Sequence, residues 1–259
     1  MGQESPDTAT LIDSHCHLDQ FDDPPAVLAA AAEAGVGAVL AVSQDAASMP
    51  RVLALKAHPG VYTGLGMHPA WIVQAAAAEV EAGLEFLERN MPQADVLGEV
   101  GLDHLRAETD DARLLQEDVL DRQLEIAAAC GKPLNLHSRR CLRQVMERAI
   151  DYRRRTGLNA LLHWFTQSKK LVRRCNEEGI YVSVGPTVLS DPQTQAVAAQ
   201  IADPLLLLET DAPVAIGGEP GHPAAVRRVA ETLARVKGRE WRDIGALCRD
   251  NFHRYLAGD

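Results

Sequence analysis

Eight times along the chain an apolar, often β-branched run gives way to an Ala/Leu-rich segment of helical period. The apolar runs are residues 10–12, 36–42, 62–67, 95–98, 133–136, 159–162, 180–184 and 205–208. Helical patterns cover 24–34, 46–57, 75–90, 110–130, 139–155, 168–178, 223–236 and 240–256, with one more stretch before residue 205. Pro24 and Pro25 open the first of these and Gly35 closes it, as start and stop signals should. Eight strand-then-helix units without a linker or low-complexity stretch predict one (β/α)₈ barrel over 1–259, with 1–9 a polar tail. A doubly wound open sheet is the alternative, and it would lack so many units. Because aromatics are only 4 % of residues, the core must be built from Ala, Val, Leu and Ile.

A formal charge of −10 argues against non-specific attraction to nucleic acid or acidic membranes. A polyanionic substrate stays open, since bound divalent cations and a local basic patch reverse the sign at one site. The first ten residues carry neither a secretory nor a myristoylation pattern, and no apolar run approaches a membrane span. The five cysteines are odd in number, scattered and free of CxxC spacing, the usage of a reducing compartment. A cytoplasmic protein is expected.

Metal-compatible residues recur at the ends of the apolar runs: His15 and His17, Glu99, His137, His163 and Asp211. On a strand, His15 and His17 share a face and Cys16 takes the other, where it reads as a packing residue. In a barrel the C-terminal strand ends surround one mouth, so all six residues converge there. Four imidazoles and two carboxylates exceed what one ion needs, which suggests a two-metal centre with a bridging carboxylate. The ligand types admit Zn²⁺, Mn²⁺, Mg²⁺ or similar ions without choosing among them.

The segments Ser14-His15-Cys16-His17-Leu18-Asp19, Gly98-Glu99-Val100-Gly101-Leu102-Asp103, Leu136-His137-Ser138-Arg139 and Glu209-Thr210-Asp211-Ala212-Pro213 together resemble the TatD family of metal-dependent deoxyribonucleases. That family lies within the amidohydrolase superfamily of metal-bearing barrels. The resemblance implies that His15, His17 and Asp211 hold one ion and His137 and His163 the other, with Glu99 between them. Asp211 would accept a proton from the attacking water. Gly66-Met67-His68-Pro69 resembles the family's GxHP, so His68 would contact phosphate or assist the leaving group. Arg139 matches an HxR pattern suited to phosphate, and Ser183 stands where backbone approaches substrate. Asp19, Asp103 and Glu209 read as structural.

The departures are specific. His104 replaces an aromatic, and His163-Trp164-Phe165-Thr166-Gln167 lacks the serine and glycine of HxFSG. After Pro213 the chain lacks the family's arginine- and asparagine-bearing loop. The basic residues of the fifth and sixth helices (Arg140, Arg143, Arg148, Lys169, Lys170, Arg173, Arg174) read first as solvated outer faces, while Trp71 and Trp164 are candidates to stack a base. The expected activity is hydrolysis of DNA phosphodiesters, at single strands or 3′ ends. The alternatives are another bond (ester, amide or aminoacyl ester) on the same scaffold, or a nuclease subunit gated by partner proteins of a defence or repair assembly.

Overall fold

The computed structural model describes residues 11–166, 168–215 and 217–258. Its strands are β1 (Leu11–Cys16), β2 (Val36–Val42), β3 (Val61–Leu65), β4 (Val96–Asp103), β5 (Leu134–Arg139), β6 (Ala160–Leu162), β7 (Tyr181–Val184) and β8 (Leu206–Leu208). The helices are α1 (Pro24–Glu33), α2 (Ser48–Leu55), α3 (Pro69–Ile72), α4 (Ala77–Asn90), α5 (Asp110–Ala129), α6 (Leu142–Thr156), α7 (Lys169–Glu178), α8 (Pro192–Ala198), α9 (Val226–Lys237) and α10 (Trp241–Ala257). All strands are parallel and follow chain order around one sheet, giving the expected (β/α)₈ barrel.

Local sequence explains most boundaries. Asp23 caps α1 by accepting from Ala26 N, and Thr109 caps α5 by accepting from Ala112 N. The helix expected over 75–90 starts at Ala77 instead. A separate turn, α3, precedes it, opened by Pro69 at its first position and by His68 accepting from Ala70 N. Three strands run past their expected ends. β1 continues to Cys16, β4 to Asp103 and β5 to Arg139, so His15, Glu99 and His137 lie within strands and not after them.

Ile12, Leu40, Val42, Val96, Leu161, Tyr181 and Leu207 form the lumen layer, floored by Phe252 and Tyr255 of α10. Their strand neighbours Val39, Ala41, Leu97, Leu134, Leu136, Leu162, Val182, Leu206 and Leu208 face outward into the helix layer. Above the lumen layer, simple alternation turns Asn135 and His137 inward on β5, His163 after β6, Ser183 on β7 and Glu209 after β8.

Alternation fails on β1 and β4, and the failure makes the site. Ile12 and His15 are of opposite parity, as are Val96 and Glu99, yet each pair must face inward. The register shifts by one residue between Asp13 and Cys16, and again between Leu97 and Val100. One extra residue at each place inverts the parity. Cys16 consequently packs outward, fully buried in the helix-facing core.

β8 and β1 share no ladder pairs among the described residues. The seam is closed by other bonds. The Asp13 carboxylate accepts from Thr210 N at 2.9 Å and from Thr210 Oγ1 at 2.5 Å. Asp211 N donates to the His15 carbonyl at 2.9 Å, and His17 N to the Ala212 carbonyl at 2.7 Å.

Candidate metal centre

His15 and His17 are each fixed through Nδ1. His15 Nδ1 lies 2.9 Å from Asn135 Oδ1, and Asn135 Nδ2 donates to the Ser14 carbonyl at 3.1 Å. The second bond fixes the orientation of the amide, so His15 Nδ1 is the donor. His17 Nδ1 lies 3.1 Å from the Val42 carbonyl, which only accepts. In the neutral rings both Nε2 atoms therefore present lone pairs, the form that binds a metal.

Those lone pairs meet two carboxylates. His15 Nε2 is 3.3 Å from Asp211 Oδ1 and 3.6 Å from Glu99 Oε2. His17 Nε2 is 3.1 Å from Asp211 Oδ1 and 3.4 Å from Glu99 Oε2. Glu99 Oε1 faces a different set: His137 Nδ1 at 2.8 Å, His163 Nε2 at 2.8 Å and His68 Nε2 at 3.5 Å. Each oxygen of one buried carboxylate thus has its own group of imidazoles.

The residues fit a divalent cation. Ligand atoms about 2.1 Å from an ion stand roughly 3.0–3.4 Å from one another. The separations of His15 Nε2 and His17 Nε2 from Asp211 Oδ1 and Glu99 Oε2, 3.1–3.6 Å, match that spacing. His15 Nε2 and Glu99 Oε2 are buried without a hydrogen bond of acceptable geometry. Orphaned polar atoms at such depth call for a partner.

The electrostatics agree. Burial raises the carboxyl of Asp211, but the His15 and His17 contacts more than reverse this and hold it below the usual carboxylate range. Glu99 is likewise held well below its ordinary value, because the surrounding imidazoles, His68, His163 and His137 among them, outweigh burial. Burial disfavours the His137 cation, yet Asp103 and Glu99 raise the ring to about 9. Burial and the charge of His15 push His163 down to about 4. Two persistent anions among four buried imidazoles form a site that attracts positive charge.

His68 differs from the other imidazoles. Its Nδ1 accepts from Ala70 N at 3.0 Å, so the neutral ring carries its proton on Nε2, pointing toward Glu99. Burial lowers it to about 3, which keeps it neutral. It enters the cluster as a hydrogen-bond donor, although its position alone would suit a ligand.

Ser183, where the backbone is expected to approach substrate, lies on β7. It is fully buried, and its hydroxyl donates to Glu209 Oε2 at 2.6 Å, so the side chain is committed inward. Glu209 also accepts from Trp164 N at 2.5 Å and stands 3.8 Å from His163 Nδ1. Burial lifts its carboxyl to about 8. Asp103 accepts from Leu105 N and Arg106 N and approaches His137 Nε2 at 3.6 Å. Asp19 pairs with Arg51 at 3.0 Å.

Arg139 ends β5, exposed and with no ion-pair partner among the described residues. Farther down the same flank Arg148 pairs with Glu117 and Asp121, and Arg174 with Glu178, as outer helix faces do. Trp71 packs partly buried against the core. Trp164 is half-buried with φ +47°, beside Gly185. Gln167, in the altered HxFSG segment, lies outside the described residues, as does Ile216 in the loop after Pro213.

Sequence reasoning passed over Asn135, Asp13 and Gln44. Asn135 had a legible signal, a lone amide in an apolar strand two residues before His137 and hence on its face. Gln44 had none, because its contact with His17 joins two loops.

Comparison with known proteins identifies the family. Residues 12–257 match the TatD related DNase family. The metal-dependent hydrolase YjjV of Escherichia coli K12 is 33 % identical over 244 residues, covering 88 % of this chain and 90 % of that one. Human deoxyribonuclease TATDN3 is 29 % identical over 248 residues, 88 % of each chain. The crystal structure of YjjV superposes with a TM-score of 0.84 at 29 % identity, covering 97 % of this chain and all of that one. A TatD family hydrolase of Entamoeba histolytica has the same fold, with a TM-score of 0.81 at 16 % identity over 95 % of this chain and 97 % of that one. The chain is a metal-dependent hydrolase of the TatD family.

Proposed function

We propose that the protein hydrolyses DNA phosphodiester bonds at single strands or 3′ ends, with two divalent cations, one on each side of Glu99. The observation that carries the two-ion reading is the division of Glu99, with Oε2 facing His15 and His17 and Oε1 facing His137 and His163. When bound, such ions supply Lewis acidity toward a phosphoryl oxygen and acidify water. His15, His17 and Asp211 would hold the first, His137 and His163 the second.

The chain's own groups supply the remainder. Asp211 is the carboxylate nearest solvent, its side chain 14 % exposed against 3 % for Glu99, and it stays anionic. It is suited to take the proton of the attacking water. Neutral His68 presents an N–H suited to a phosphate oxygen or the leaving group. Arg139, exposed and without an ion-pair partner among the described residues, suits a bidentate phosphate contact, and Trp164 offers a ring for one base. The name of the human relative supports the choice of DNA.

No helix among the described residues is long and apolar enough to cross a membrane. All five cysteines are free, which supports a reducing, cytoplasmic setting. Partner proteins of a repair or defence system belong to the same proposal as possible regulators.

The test is incubation of purified protein with labelled single-stranded and 3′-recessed DNA and Mg²⁺ or Mn²⁺, beside a panel of carboxyl and aminoacyl esters. DNA should be cleaved, and Asp211→Asn and Glu99→Gln should each lower the rate by about 10²–10⁴. Cleavage that survives both changes, or turnover of the esters alone, would overturn the reading. The altered loop after Pro213 is what makes the ester panel necessary.

A further inference from the structure

The helices that follow β5 and β6 carry charge against their own dipoles. A helix is stabilised by acids at its N-terminal end and by cations at its C-terminal end. α5 obeys, with Asp110 and Asp111 in its first turn, and so does the far end of α6, with Arg153, Arg154 and Arg155 in its last. α7 reverses the rule. It opens on Lys169 and Lys170, adds Arg173 one turn on, and ends on Glu177 and Glu178. α6 opens in the same sense, with Arg139 and Arg140 just before it, Arg143 near its start and no acid in its first turn. All six of these mouth-side cations are exposed, and their side chains make no hydrogen bond or ion pair among the described residues. Exposed cations elsewhere are mostly paired, as Arg89 is with Glu85, Arg122 with Glu81 and Arg249 with Asp250. Unpaired cations set against a helix dipole are not explained by folding stability.

Their place in the barrel supplies another reason. The opening turns of α6 and α7 lie at the C-terminal ends of β5 and β6, which are paired strands, so the two groups are neighbours on the rim of the mouth. Arg139 stands two residues beyond His137, and Trp164 directly after His163, so the sector adjoins the metal centre. Elsewhere the rim carries acids: Asp22 and Asp23 follow β1, Asp110 and Asp111 follow β4, and Glu219 follows β8. With a formal charge of −10 the chain as a whole repels a polyanion. Within a Debye length of about 8–10 Å the local sign decides instead. A polyanion therefore meets attraction on the α6–α7 side alone. A flat anionic surface pressed on this face would meet the acidic loops as well, whereas a strand can follow the cationic side.

We propose that the opening turns of α6 and α7 form a track for the part of a single DNA strand that extends beyond the scissile bond, held through its phosphates. The inference rests on the DNA reading above and deepens it. Phosphate contacts of this kind position a strand without reading its sequence, and their strength falls steeply with salt. The track sets strand affinity, and the metal centre sets the chemical rate.

The test is fluorescence anisotropy of a labelled single-stranded oligonucleotide on the full chain, in EDTA and across a salt series, beside steady-state cleavage with Mn²⁺. Wild type is compared with the triple variant Lys169→Glu, Lys170→Glu, Arg173→Glu. A control makes the same charge change away from the mouth, by Arg89→Glu, Arg155→Glu and Arg249→Glu. The triple variant should bind the strand roughly 10–100-fold more weakly at low salt, and the slope of log Kd against log salt should fall by about 2, or about 0.7 for each phosphate contact. The loss in cleavage should fall on KM rather than kcat. Tm should match or exceed wild type, because acids then replace cations at a helix N-terminus. A control that loses as much affinity would reduce the effect to net charge and overturn the track. A triple variant that binds like wild type would overturn it too, as would one that melts well below wild type, which would make the cations structural. Wild-type binding to anionic vesicles but not to the oligonucleotide would assign the sector to a lipid surface and overturn the track. A wild type that binds the strand through this sector and cleaves no DNA would overturn the proposed activity instead, so the two failures are distinguishable.

Discussion

Asn135 shows how one uncharged side chain decides what a histidine can do. Its Oδ1 forces the His15 proton onto Nδ1, and its Nδ2 is anchored to the Ser14 carbonyl. Asn135→Ala should leave His15 free to take either tautomer and should weaken divalent metal binding by about 10–100-fold, measured by calorimetry. A variant that binds as tightly as wild type would show that the ring needs no such support. Asp13 acts at the same scale on stability. Its buried carboxylate satisfies Thr210 N, Thr210 Oγ1 and His15 N, and Asp13→Ala strands all three. The change should cost about 3 kcal/mol by urea unfolding. His15, His17, Glu99 and Asp211 were legible from residue type and motif. Asn135 and Asp13 support them through contacts whose partners lie 120 and 197 positions away, which spacing along a strand does not reveal.

The element scale turns on two irregular strands. β1 gains one residue against β2 between Asp13 and Cys16, and β4 one against β5 between Leu97 and Val100, and this brings His15 and Glu99 to the side of Ile12 and Val96. The continuation of β4 beyond Glu99 depends on Gly101, with φ +152°, where an added Cβ would lie 2.0 Å from the His137 carbonyl. Gly101→Ala should therefore push β4 from β5 at the level of the site. We expect a loss of about 3 kcal/mol, a fall of roughly 6–12 °C in Tm for a chain of this size, read by thermal unfolding. The existence of every strand could be read from apolar runs, and β2 was read to the residue. The extensions of β1, β4 and β5 could not, because polar residues and glycine interrupt the apolar pattern there, and the added residues are held by pairing with neighbouring strands.

At the scale of the molecule the barrel is plugged below and polar above. Phe252 and Tyr255 of α10 close the lower end, where Tyr255 Oη donates to the Leu134 carbonyl at 2.9 Å and Asn251 Nδ2 to the Leu206 carbonyl at 2.8 Å. Phe252→Ala should cost about 3–5 kcal/mol while leaving metal affinity unchanged, since the lumen layer separates the plug from the site. Divalent cation should stabilise the whole chain, by about 2.7 kcal/mol at a hundred times Kd. That gain should appear as a higher Tm, disappear with chelator, and be absent in Glu99→Gln. A Glu99→Gln protein that responds to metal as wild type does would place the binding elsewhere.

The sequence by itself determined the alternation of strand and helix, hence the barrel, and the identity of the residues at its mouth. It did so because hydrophobic period and ligand chemistry are local properties. Only the tertiary structure decided how those residues face one another: Glu99 with one oxygen for each set of imidazoles, His68 turned donor by its own cap, Ser183 drawn inward by Glu209, and Gln44 set against His17. Apart from the local cap of His68, each of these follows from a one-residue register shift or a hydrogen bond between distant strands and loops. Such choices are made when the sheet closes and every buried polar group must find a partner.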